Sequence, residues 1–98
     1  MKDQALIRIA EETTKALADA HPYSSAKRTI PSYNALLTAA KANHPGDPFL
    51  SALPLFELNR EGRGEEDSTS TAEMIALFAQ IRIVLESLME ESGAQAAR

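Results

Sequence analysis

The side chains that could carry acid–base or metal chemistry in this 98-residue chain are two histidines, His21 and His44, and fourteen carboxylates. Each histidine precedes a proline at the end of a helical pattern, in His21-Pro22 and His44-Pro45. There an imidazole can hydrogen-bond the last carbonyls of a helix and, when charged, meets the negative end of its dipole. A metal site would need both histidines to converge with carboxylates, and neither belongs to an i, i+4 pair or a ligand-spaced cluster. The paired acids Glu11-Glu12 and Glu90-Glu91 fall on the solvent side of amphipathic patterns, whereas a catalytic carboxylate needs burial or a like-charged neighbour in a cleft. Glu65-Glu66-Asp67 stands just ahead of a helix start, where acids suit the positive helix end, and it lacks the alternating ligands of a calcium loop. Gly62-Arg63-Gly64 reads as a hinge, since a phosphate loop would have a strand before it and Lys-Ser/Thr after it. No cysteine is present, which excludes disulfides, thiolate metal sites and a cysteine nucleophile. On this reading the chain is not an enzyme and holds no metal or cofactor.

The elements that would position these residues are helical. From Asp3 to Ala20, Leu6, Ile9, Ala10, Thr13, Ala16, Leu17 and Ala20 share one arc of a helical wheel, with Ile7 off the stripe. Residues 22–31 hold two prolines and small polar residues, and read as a connector. Ser32 reads as the N-cap of a second helix through Ala42, with Tyr33, Leu36, Leu37 and Ala40 inward. Asn43-His44-Pro45-Gly46 ends it, and Asp47-Pro48 starts a third helix of at most two turns, Phe49 to Leu53. The decapeptide 49–58 is the most apolar in the chain and is expected to lie across the core as a lid, its backbone groups needing partners. Residues 59–70 contain no apolar side chain and read as a mobile acidic loop. Ser70-Thr71-Ala72-Glu73 matches a capping box; the helix it opens runs to Ser92, where Gly93 is the expected stop and 94–98 a frayed tail.

Length and pattern together predict one domain over residues 1–98: an all-α, small three- or four-helix bundle with two long antiparallel helices and a flexible acidic loop. The N-terminus has no apolar stretch of signal-peptide type and no run is long enough to span a bilayer, so a cytoplasmic, non-membrane protein is expected. The net charge of −4 is uneven: residues 57–98 carry nine acidic and four basic side chains, against four acidic and five basic in residues 1–30. That balance disfavours binding to a duplex, which needs clustered cations. Lys27-Arg28 is only a pair, and a helix-turn-helix built on residues 49–53 would offer bases almost nothing polar.

Around the last helix start, Asp67-Ser68-Thr69-Ser70-Thr71-Ala72-Glu73-Met74-Ile75 is similar to the segment bearing the prosthetic-group serine in acyl carrier proteins. The resemblance covers about ten residues and implies Ser68 as an attachment site. The chain departs from that pattern at Thr69, where the family carries Leu, and in having 30 residues after Ser68 where the family continues with further helices. Helix capping accounts for the same residues.

The feature that stands out is the breadth of the apolar face on the last helix. Met74, Leu77, Phe78, Ile81, Val84, Leu85 and Leu88 share an arc, with Met89 at its edge and Ile83 almost opposite. The expected function is that of a non-catalytic protein–protein interaction module, an adaptor, inhibitor or homodimeric accessory protein. Ile83, Glu86, Glu90, Phe49 and Phe56 are its expected contacts, and a nucleic-acid-binding helical protein is the alternative.

Overall fold

The computed structural model describes residues 1–20, 29–56 and 70–96, the last five of these by their backbone. Four helices carry the fold, α1 (Asp3–Ala18), α2 (Ile30–Asn43), α3 (Pro48–Ala52) and α4 (Thr71–Ala96), with no strand among the described residues. The molecule is the expected all-α bundle. Of the expected acidic loop, residues 59–69 lie outside the described residues, as do His21, residues 22–28 of the connector and the ends of the lid and tail, 57–58 and 97–98.

The two long helices, α1 and α4, make the most extensive helix–helix contact, and α2 packs against both. Direction follows from contacts at one end of the bundle. Asp3 at the start of α1 meets Asn43 and His44 at the end of α2, while Asp47, just beyond α2, borders the same hollow as Glu91 near the end of α4. Thus α1 runs antiparallel to both α2 and α4.

The core is Leu6 and Ala10 of α1, Ile30, Tyr33, Leu36, Leu37 and Ala40 of α2, Leu50 and Leu53 at α3, and Met74, Phe78, Ile81 and Leu85 of α4. The spacing 74, 78, 81, 85 is the helical period that keeps one face of α4 inward. On α1 the buried face is rotated from the expected stripe: Ile7 packs against the core and Ile9 is 38% exposed. The reason is that α1 is pressed chiefly onto α4, so the arc centred on Leu6 and Ala10 faces in and the α2-side flank stays open.

Helix α2 ends one residue later than expected, at Asn43, and α3 one residue earlier, at Ala52; three other helix ends differ by more. The second helix begins at Ile30, with Thr29 as N-cap and Pro31 in its first turn, so Ser32 is inside the helix rather than its cap. Proline is at home there because the first helical N–H groups have no intrahelical partner, and burial of Ile30 draws the helix start back by three residues. The first helix ends at Ala18, two residues early. The last passes through Gly93 to Ala96. A glycine inside a helix costs only about 1 kcal/mol, and the alanines beyond it favour continuation.

Two starts are as expected. Asp47 caps α3, its Oδ1 accepting the Leu50 N–H at 2.9 Å. Ser70 Oγ accepts the Glu73 N–H at 3.2 Å ahead of α4. The turn between α2 and α3 depends on Gly46, whose φ of +87° suits a residue without Cβ.

Candidate functional site

The segment after α3 is held by side chains of α2. Tyr33 Oη donates to the Pro54 carbonyl at 2.7 Å. Asn34 treats Phe56 as a strand neighbour would: Oδ1 accepts its N–H at 3.0 Å and Nδ2 donates to its carbonyl at 2.8 Å. The Tyr33 ring sits edge-on to Phe78, with centroids 5.7 Å apart, and tilted against Phe56 at 5.6 Å. Burial of the Tyr33 phenol, whose ionised form would be poorly solvated, pushes its pKa up to about 12. Phe56 is therefore the half-buried anchor of the lid over the core, turned toward Tyr33.

Anchoring residues 54–56 in this way leaves α3 leaning on α4 with its opposite side open. Leu50 is fully buried, whereas Phe49, one residue earlier and so about 100° around the helix, is 70% exposed. On α4, Ile83 is 53% exposed, facing away from Phe78, Ile81 and Leu85. Both exposed side chains border the α3–α4 seam. With Val84 they wall two neighbouring hollows. One, of about 320 Å³, is closed by Asp47, Pro48, Ser87, Leu88 and Glu91. The other, of about 260 Å³, is closed by Ala52, Leu53 and Gln80.

Of the five contact residues expected from sequence, Phe49 and Ile83 come together at this seam. Glu86 and Glu90 lie beside Ile83 on the outer side of α4, Glu86 within 3.3 Å of Arg82 across one helical turn and Glu90 exposed. Phe56 lines neither hollow. Asp47, Val84, Leu88, Glu91 and Gln80 also line the seam, and nothing in the local sequence marks them as contacts. Their participation depends on where α3 docks along α4, which no local pattern encodes.

The histidine and acid motifs resolve differently. His44 is the C-cap residue of α2, but its ring does not cap carbonyls; Nε2 lies 2.5 Å from Asp3 Oδ2. Asn43 Nδ2 donates to Asp3 Oδ1 at 2.9 Å and to the Met1 carbonyl at 2.6 Å. This cluster ties the start of α1 to the end of α2. Glu12 pairs with Lys15 on the exposed face of α1 at 3.6 Å. Among the described residues, no group of three or more His, Asp and Glu side chains gathers in a metal-holding arrangement. His21, the pair Lys27-Arg28, the run 65–67 and Ser68 lie outside the described residues. A further hollow of about 240 Å³ lies between α1 and α2, under Met1 and Ile9 and over Ser32, Ala35 and Ala39.

No helix among the described residues is long and apolar enough to cross a membrane. Comparison with protein-family models, curated proteins and solved structures returns no match for this chain.

Proposed function

We propose that this protein is a non-catalytic interaction module that works through the α3–α4 seam. The observation that carries the reading is the pairing of Phe49 and Ile83, two large apolar side chains from different helices held side by side in water over shared hollows. Single exposed apolar residues are ordinary on protein surfaces, but a contiguous apolar patch with concavities is characteristic of a binding surface. The cap of α3 by Asp47 and the anchoring of residues 54–56 by Tyr33 and Asn34 fix the position of Phe49, so the patch is preorganised. Preorganisation lowers the entropy cost of binding. Exposed Glu90 and Glu91 at the edge disfavour a nucleic-acid ligand at this seam.

The test is Ile83→Asp, which puts a charge in the middle of the patch and touches no core residue. Cross-linked capture from an extract, with mass in solution measured across a concentration series, compares the variant with the parent chain. A partner or second copy held by the parent and released at least tenfold by the variant, with an unchanged thermal melt, is the expected result. Equal retention overturns the reading, as does unfolding of the variant, which would place Ile83 in the core.

A further inference from the structure

Resting on the reading of the α3–α4 seam as a docking surface, we infer that its occupant is a basic amphipathic helix of another protein, laid along the seam with its cationic end over Asp47 and Glu91. Three observations choose this occupant. The first is shape. The two hollows follow one another along α4 from Gln80 to Glu91, a span of about 16 Å at 1.5 Å per residue. That is the length of three helical turns, and a helix with apolar side chains at i, i+3 or i+4 and i+7 would straddle the Phe49–Ile83 ridge and fill a hollow on either side.

The second is charge. Asp47 and Glu91 border the larger hollow, and exposed Glu90 lies next to Glu91. Among the described residues, Arg82 is the cation that α4 carries, and it is already 3.3 Å from Glu86. The smaller hollow has no ionisable lining residue among those described. The surface is thus acidic at one end and neutral at the other, which complements a helix that is basic at one end only and sets its direction.

The third is area. A stable dimer interface buries about 800 Å² on each partner, far more than a ridge of two exposed side chains supplies. A two-fold pairing of copies through this seam also gives Asp47, Glu90 and Glu91 no cationic partner: with the seams parallel they face the same acids, and with the seams antiparallel they face the neutral end of the other copy. A single basic helix supplies that partner.

The experiment is a fluorescence-anisotropy titration of the full chain with three labelled peptides of about 18 residues, long enough to hold some helix alone. One is an amphipathic Leu/Lys helix, one the same helix with Glu for Lys, and one the Leu/Lys composition scrambled to destroy the apolar face. The amphipathic Leu/Lys peptide is expected to bind at least about tenfold more tightly than either other. Phe49→Gln with Ile83→Gln should weaken it about tenfold or more, and Glu90→Gln with Glu91→Gln about fivefold, with salt reducing the remainder. All four positions are exposed, and circular dichroism checks that each variant folds. Equal binding of the scrambled peptide, or indifference to the Phe49 and Ile83 changes, overturns the inference. So do equal or tighter binding of the Glu peptide and indifference to the Glu90 and Glu91 changes. If the Leu/Lys peptide fails while capture remains sensitive to Ile83→Asp, the seam is a docking surface for another occupant. If solution mass doubles and Ile83→Asp restores the monomer, that occupant is a second copy. Failure of both assays removes the docking surface itself.

Discussion

Tyr33 does three things at once: it fills the core, pairs edge-on with Phe78 and donates to the Pro54 carbonyl. Its phenol ionises at about 12 in the folded chain against about 10 when unfolded. Below pH 10 both states are protonated and the full stability is present. Between pH 10 and 12 the unfolded chain loses the proton first, so stability falls, by about 2–3 kcal/mol in all. Urea titrations across that range should show the excess loss in the parent chain and not in Tyr33→Phe, which gives up about 1 kcal/mol of hydrogen bonding at neutral pH. A Tyr33→Phe curve parallel to the parent would contradict burial as the cause. Asn34 is the other residue whose role is set by its partners. Asn34→Ala strips both backbone bonds from Phe56, and a loss of about 1–3 kcal/mol in urea unfolding is expected. A loss under about 0.5 kcal/mol would mean that water replaces the amide without penalty.

At the scale of elements, α3 has only five residues, too few to hold helical structure by itself. It exists because Asp47 satisfies its first turn, Leu50 is buried, and Gly46 lets the chain turn into it. A Cβ at position 46 would meet nothing within 4 Å, so Gly46→Ala carries a conformational cost alone, about 1 kcal/mol for a left-handed φ. Gly46→Asn should recover part of it, since Asn tolerates that region better. Thermal melts of the two variants decide the point; equal melting temperatures would mean that steric contact, not φ, sets the cost. The long helices depend less on such devices. Helix α4 runs through Gly93 without a stop, because its apolar face is held by tertiary packing over several turns.

For the whole molecule, the same helix carries core and surface roles on opposite sides, and substitution should separate them. Phe78 is fully buried against Tyr33, so Phe78→Ala should cost about 3–5 kcal/mol. Ile83→Asp, at an exposed position, should shift unfolding by less than about 1 kcal/mol. Urea midpoints for the two variants check this, and comparable losses would mean that the outer side of α4 is covered in the folded chain. The His44–Asp3–Asn43 cluster also acts at this scale, joining residues about 40 positions apart at one end of the bundle.

The apolar periods of 3.6 residues, the Asp47 and Ser70 caps and the absence of cysteine sufficed to read an all-α bundle with two long helices, because these are local properties of short stretches. They also sufficed to mark Ile83 as facing away from the core and residues 49–58 as an apolar segment laid across it. Phe56 could not be told from Phe49 in the same way. Its inward turn follows from Asn34 and Tyr33, residues 22 and 21 positions apart from their carbonyl partners, and such pairings leave no periodic trace. The rotation of α1 that buries Ile7 and exposes Ile9, and the lining of the seam by Asp47, Leu88 and Glu91, were likewise decided by how the helices dock. Helix-forming tendency is written along the chain, whereas a groove is made by two surfaces, and their relative position is settled only when the whole core closes.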